Sequence, residues 1–329
     1  MKVGVLVRCD NGGLGSETWE IQRHLPFART LVVSMGKRCR GAEYPERFPG
    51  GRVVRAEEIA PVFKRFIKGL DSVFTVESFY FKGFKETCLN AGVKPVVLVH
   101  PELYTREFRS VETYVPTTWE MPHGSRLLPQ PVALDRFTPR PRKKVEVFYH
   151  VAAPAMLDRN GTEDLVAALP YVKNPCHLIV HTHTHLILPR KMGVVTIEER
   201  HHDVENYWEA WPAEADVMVM PRRYGGLCLP AFEAAAQWMP CIMTKLQPQD
   251  RWPWVYGVKP SWSQTHAMKG GAFPVWSTAP QEIAKAMDHL MEDEDEMVRL
   301  SAAGGWWSQR NSWQELRGMW MDRLHLEDK

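Results

Sequence analysis

ADVMVMPRRYGGLCLPAFEAAAQWMPCIMT, residues Ala215–Thr244, is the stretch whose reading decides the fold. Its apolar run, Val217 to Met220, has the length of a buried strand, and Pro221 ends it because proline cannot donate to a sheet ladder. Gly225 and Gly226 make a tight turn. A helix-forming segment, Pro230 to Trp238, follows, with proline placed where a first helical turn accepts it. Met239-Pro240 stops that helix, and Cys241 to Met243 reads as the next strand. A glycine turn just ahead of a helix N-terminus lets backbone N–H groups approach an anion, and the helix dipole adds positive character there.

The same alternation extends in both directions. Toward the N-terminus, VEVFYHV (Val145–Val151) and HLIVHTHTH (His177–His185) read as strands, and DRNGTEDLVAAL (Asp158–Leu169) as a turn into a helix. Period-2 alternation puts His181, His183 and His185 on one strand face. Their spacing is too long for one tetrahedral ion, and a polar strand end facing a cleft is the expectation. An earlier series starts with KVGVLV (Lys2–Val7), a β-branched run typical of a strand buried on both faces. RCDNGGLGSETWE (Arg8–Glu20) then supplies a glycine loop at Gly12, Gly13 and Gly15, with Ser16 as the expected N-cap of a helix through His24. Leu31–Ser34, Val73–Val76, Val96–Val99 and Thr113–Val115 are further strand candidates. Strands alternating with helices predict parallel sheets with right-handed crossovers. His100 and Glu102 fall just past a strand's carboxyl end, where open α/β sheets bind ligands. For His100 the residues alone leave both a structural hydrogen bond and a catalytic role open. Lys245–Ser277 shows no periodicity, Pro280–Ala303 reads as one helix, and Trp306–Leu324 as a last amphipathic helix.

With 329 residues, two domains of ordinary size can each bury a core. A net charge of +2 argues against a strong whole-chain affinity for polyanions. Six scattered cysteines with no CxxC pair read as reduced thiols of a cytoplasmic protein. The apolar run Val3–Val7 is too short for a signal peptide, and no membrane insertion is expected. Arg126–Lys144, rich in proline and basic residues, reads as an inter-domain linker. Its charges are either a solvated face or a phosphate-contacting patch.

RCDNGGLGSETWE, RLLPQPVALDRFTP, DRNGTEDLVAAL and above all ADVMVMPRRYGGLCLPAFEAAA together resemble the GT-B retaining glycosyltransferases of family 4, more narrowly their short bacteriophage-encoded relatives. The resemblance covers nearly the whole chain. It implies an α/β GT-B fold, two Rossmann-like domains facing a central cleft, with the C-terminal helix packing back toward the N-domain. The expected division is an acceptor domain over 1–140, a donor domain over 141–305 and a returning helix over 306–329. The implied activity is metal-independent hexosyl or pentosyl transfer from a nucleotide-diphosphate sugar, used as substrate, with no cofactor and no metal site.

By the same resemblance, Gly12 and Gly13 approach the donor phosphates and sugar, and His100 contacts the transferred sugar. Glu233 matches the second glutamate of the family's E-x7-E signature, which binds the ribose hydroxyls. A carboxylate suits a cis-diol because it accepts from both hydroxyls. Gly225, Gly226, Leu227 and Cys228 match the turn whose N–H groups face the donor. The chain departs from the pattern at Gly225, where the first glutamate would stand, at Ala152-Ala153 in place of Gly-Arg, and at Asn160-Gly161 in place of Lys-Gly. A departing diphosphate needs positive charge, for which Arg159, Arg222 and Arg223 are the substitutes. The implied acceptor is a hydroxymethylated base in duplex DNA, tracked by Arg136, Arg140, Arg142, Lys143 and Lys144 with Lys37, Arg38 and Arg40. Transfer to a virion protein or a glycan, and a degenerate GT-B binding protein, are the alternatives. A doubly wound dehydrogenase is disfavoured, since no GxGxxG loop is followed by a ribose-binding acid.

Overall fold

The computed structural model describes residues 1–36, 42–152, 156–182, 186–201 and 206–328. Lys37, Arg38, Cys39, Arg40, Ala153, His183 and His185 lie outside them.

The first half is a seven-stranded sheet in which every neighbouring pair is parallel. Its strands are β1 (Val3–Arg8), β2 (Arg29–Ser34), β3 (Arg52–Arg55), β4 (Ser72–Val76), β5 (Lys94–Leu98), β6 (Glu112–Val115) and β7 (Arg126–Leu127), in the order β3-β2-β1-β4-β5-β6-β7. The β-branched run of β1 is buried on both faces, as its pattern requires. Val3, Val5 and Val7 enter one core layer with Trp19 and Ile21 of helix α1 (Gly13–His24). Leu6 enters the opposite layer with Phe63 and Phe66 of α2 (Ile59–Phe66) and Phe84 and Cys88 of α3 (Phe84–Asn90). Gly12 is the N-cap of α1, so Ser16 sits inside the helix and not at its start. No side chain caps α1; the Asp10 carboxylate accepts the Gly12 N–H at 3.0 Å and so holds the loop ahead of the helix.

The second half repeats the plan with β8 (Val147–Ala152), β9 (Cys176–Thr182), β10 (Lys191–Met192), β11 (Val195–His201), β12 (Val217–Met220), β13 (Cys241–Thr244) and β14 (Val255–Val258). Their order is β10-β11-β9-β8-β12-β13-β14, parallel except at the β10–β11 edge. Helix α4 (Thr162–Ala168) packs with Val217 and Val219 on one face, and α5 (Leu229–Ala236) with Met218 and Met220 on the other. The aperiodic segment after β13 contains β14 and an antiparallel hairpin, β15 (Trp262–Met268) with β16 (Gly271–Ser277). All residues of β15 are at least partly exposed, so no buried stripe marks it in the sequence.

The helix expected over Pro280–Ala303 is two, α6 (Pro280–Glu292) and α7 (Glu294–Arg310). Asp293 breaks it, because its side chain accepts the Glu296 N–H at 2.9 Å and caps the second helix. The final helix, α8 (Trp313–Arg323), begins after Ser312 caps it, so Trp306 belongs to α7. α8 crosses back to the first sheet: Trp313, Trp320, Met321 and Leu324 share the core layer of β1 and α1. Trp320 Nε1 donates to the Pro129 carbonyl at 2.9 Å, and Tyr114 Oη to that of Arg323 at 3.0 Å. The basic tract is held in place between these elements. The Val132 N–H donates to the Asn311 carbonyl at 2.7 Å, and Arg142 is buried.

Trp320 is wholly buried and ties the last helix to the first sheet. Trp320→Ala is expected to lower unfolding free energy by ~3–5 kcal/mol, read from denaturant melts. A loss under ~1 kcal/mol would mean that α8 contributes little to the first half's core.

Candidate functional site

Strand order reverses between β1 and β4 in the first sheet, and between β8 and β12 in the second. The crevice outside the strand carboxyl ends at such a reversal is where open α/β sheets bind ligands. The Gly12–Gly13 loop follows β1, and His100 follows β5. From the other half come Arg159, after β8, and the Gly225–Gly226 turn, after β12. The two sets meet: Arg159 Nη2 donates to Glu102 Oε1 at 2.5 Å and to the Gly225 carbonyl at 2.9 Å. Its guanidinium also lies 4.7 Å over the Tyr224 ring.

The glycine turn is built for close approach. At Gly226, with φ +95°, an added Cβ would fall 2.7 Å from Arg159 Nη2 and 3.1 Å from Glu102 Oε1. At Gly225 a Cβ would fall 2.4 Å from the Gln247 carbonyl and 2.7 Å from the Trp119 indole. The place where the resemblance expects a glutamate is therefore taken by a tryptophan from the other half. Leu227 and Cys228 bury their side chains in the core layer shared by β12 and α5. Among the described residues, no hydrogen bond uses the main-chain N–H groups of Gly226, Leu227 or Cys228. These open donors stand at the N-terminus of α5, where the helix dipole favours an anion.

The three arginines do different things. Arg159 lies in the cleft. Arg222 is buried and donates to the carbonyls of Tyr224 at 3.1 Å and Leu227 at 2.7 Å, so it braces the glycine turn from below. Burial and the nearby Arg159 hold its pKa below the usual arginine value. Arg223 turns to the hairpin, donating to the Trp276 carbonyl at 3.1 Å and Ser277 Oγ at 3.0 Å. That hairpin reaches the first half, where the Gly270 N–H donates to the Glu102 carbonyl at 2.9 Å and Phe273 packs 5.2 Å from Trp119. Asn160 is buried and donates to the Val151 carbonyl at 2.8 Å, a support of the loop that carries Arg159.

Glu233 lies on α5 about 7.5 Å along the axis from the Cys228 N-cap, at ~1.5 Å per residue. It lines a cavity of about 130 Å³ together with Gly13, Asn11, Tyr149, His181 and Trp211. Trp211 Nε1 donates to Glu233 Oε2 at 3.0 Å. Burial pushes the Glu233 carboxyl up to about 8, with the Trp211 bond working against the shift. His181 Nδ1 is 3.2 Å from Tyr149 Oη, and both residues line this cavity. Gly13 has open space where a Cβ would stand.

Of three carboxylates around the site, the sequence places Glu102 at a strand's carboxyl end but does not single out Glu17 and Glu77. Glu102 is the partner of Arg159, and Glu17 and Glu77 flank His100. Glu77 had a findable signal, since it follows the carboxyl end of β4 as His100 follows that of β5. Glu17 and Trp119 had none, because only the packed fold turns them inward.

The basic tract is largely committed elsewhere. Arg136 lies between Trp19 and Trp208, 4.6 and 4.3 Å from the ring centres. Arg140 and Arg142 donate to the Ala215 carbonyl, and Arg140 pairs with Asp216 at 3.0 Å. Lys143 and Lys144 are exposed.

Two Rossmann-like sheets with their carboxyl ends across one cleft, and a last helix returning to the first, define the GT-B fold. Solved structures similar to the chain agree along its whole length. Alr3699/HepE of Anabaena, solved in complex with UDP, aligns with a TM-score of 0.67 at 11% identity, over 99% of this chain and 100% of that one. Sucrose-phosphate synthase from Thermosynechococcus elongatus aligns at 0.67 and 15% identity, over 99% and 98%. The lipopolysaccharide outer core galactosyltransferase WaaB aligns at 0.62 and 11%, over 99% of each. No protein-family model and no curated protein sequence matches the chain. Among the described residues, no helix is long and apolar enough to cross a membrane.

The raised Glu233 carboxyl has a signed consequence. The folded state binds this proton more tightly than the unfolded chain, so stability falls as pH rises from about 4.5 to about 8. Glu233→Gln removes that loss. The variant should melt with the wild type near pH 4.5 and above it at pH 8, by differential scanning calorimetry. A difference independent of pH would reject the buried-acid account.

Proposed function

We propose that this chain is a nucleotide-sugar-dependent glycosyltransferase whose donor lies across α5. The observation that carries the reading is the run of open N–H groups at Gly226, Leu227 and Cys228, beside Arg159 and with Glu233 further along the same helix. The amides and Arg159 suit a diphosphate, and Glu233 suits the ribose diol beyond it. In transfer, the bond from the anomeric carbon to the diphosphate breaks while an acceptor oxygen bonds to that carbon. Negative charge grows on the departing diphosphate, and fixed donors stabilise it with little reorganisation. HepE with UDP and with UDP-glucose supports this reading by shared fold.

Arg159 is the cleft arginine, and a diphosphate reaching it competes with the Glu102 carboxylate. Arg222 and Arg223 act through the turn and the hairpin. Retention of configuration, metal independence and a bacteriophage-type enzyme are proposed from the resemblance. So is a hydroxymethylated base in DNA as acceptor, to which the basic tract lends little with Arg136, Arg140 and Arg142 bonded internally. A second reading is a protein that holds a nucleotide sugar without transferring it. The Trp119 indole against Gly225 favours this, since it fills the place of a sugar contact.

Thermal-shift titration with UDP, GDP and ADP and their sugars tests the donor reading. The matching nucleotide at about 100 times its Kd adds roughly 2.7 kcal/mol of stability. Glu233→Ala should reduce that gain with the fold intact, while His100→Ala should lower turnover more than donor affinity. Mass spectrometry of hydroxymethylated DNA, protein and glycan pools then identifies the acceptor. A protein that no nucleotide stabilises would overturn the donor site, and binding without transfer would establish the second reading.

A further inference from the structure

His100 stands between two carboxylates that the donor reading does not use. Glu77, directly after β4, has a left-handed φ of +58° and brings Oε1 to 2.7 Å from His100 Nδ1. Backbone strain of this kind persists where the surroundings over-determine it, often at functional sites. Glu17, in the second turn of α1, places Oε2 3.6 Å from His100 Nε2. Glu17 and His100 are more than nine-tenths buried. Glu17 Oε1 and His100 Nε2 are sealed from solvent and hold no hydrogen bond.

The geometry constrains the protons. A neutral imidazole has one N–H, so with both nitrogens facing carboxylates one lone pair would point at an anion. The arrangement is relieved only by a second proton on the Nε2 side. The charged groups around the ring are Glu17 from α1, Glu77 after β4, Glu102 after β5, Arg8 at the end of β1 and Arg159 after β8. Burial opposes a charged ring, but Glu77 and Glu17 outweigh it and hold His100 well above the usual histidine range. Burial likewise raises Glu17, whereas for Glu77 the opposing pull of His100 wins and its carboxyl is lowered.

We propose that Glu77 and Glu17 are positioning residues that keep His100 an imidazolium, with Nε2–H reserved for a substrate oxygen. His100 then serves as a fixed hydrogen-bond donor and not as a general base. The Nε2–H and the unbonded Glu17 oxygen form a donor beside an acceptor, enclosed in the ligand-free protein; a sugar hydroxyl that reaches them as the surrounding side chains part matches the pair, because it accepts and donates through one atom. The substrate half of this inference rests on the glycosyltransferase reading, and the protonation half does not.

The test is nitrogen NMR of the full chain carrying ¹⁵N-labelled histidine, with His100→Gln assigning the signal. Both ring nitrogens of His100 should carry protons at pH 7.5 in the ligand-free protein. Glu77→Gln and Glu17→Gln should each return its titration toward the ordinary value of about 6.5. In transfer assays Glu77→Gln should lower kcat by about tenfold or more, at nucleotide affinity unchanged by calorimetry, and should shift the pH–rate profile. A ring neutral at pH 7.5, or variants that leave its titration unchanged, would overturn the proposal. So would Zn²⁺ or Mn²⁺ displacing the ring protons, because the ligand atoms of these three residues lie within 4.8 Å of one another. If the NMR result holds but no transfer is found with any donor, the clamp stands and the transferase reading fails.

Discussion

Parallel strands deliver all their carboxyl ends to one edge of a sheet, and in this chain two such edges face each other. Everything functional follows from that constraint. Loops unrelated in sequence position, after β1, β4 and β5 on one side and after β8 and β12 on the other, meet across a single cleft. The Arg159–Glu102 ion pair is one contact across it, and both side chains are largely withdrawn from water. A pair of this kind adds little net stability over an apolar contact, but it leaves an expensive charge behind if one partner is lost. In the proposed function a diphosphate takes the place of the carboxylate at Arg159, which would make this contact one that exchanges one anion for another.

Support for that exchange is indirect and comes from beneath. Arg222 donates to the carbonyls of the glycine turn, which leaves the turn's N–H groups pointing elsewhere. Arg223 secures the hairpin, and the hairpin's tip grips the main chain of Glu102. Trp119 fills the space over Gly225. Each of these groups shapes the proposed anion site through another residue, and the two adjacent arginines of one motif have separate tasks.

The fold was largely legible in the sequence, and the site only in part. Val217–Met220 and Cys241–Met243 declare strands because continuous apolar runs bounded by proline and glycine leave few other choices. The hairpin within Lys245–Ser277 stayed hidden because β15 is open to solvent along its length. The break at Asp293 stayed hidden because an acidic run reads equally as a solvated helix face. Gly13 and Glu233, named from separate motifs, line one cavity. The direction taken by Arg159, Arg222 and Arg223 depends on backbone angles that residue type does not encode. The His100 clamp joins positions 17, 77 and 100, and only strand order brings them together.

The central claim is that the open amides at the start of α5 receive a nucleotide's diphosphate. Amide-resolved NMR during titration with UDP, and with GDP and ADP in parallel, addresses it most directly. The account predicts that one of these nucleotides moves the Gly226, Leu227 and Cys228 N–H signals most, with Gly13 moving alongside. Saturable binding that leaves those three amides unmoved would contradict it.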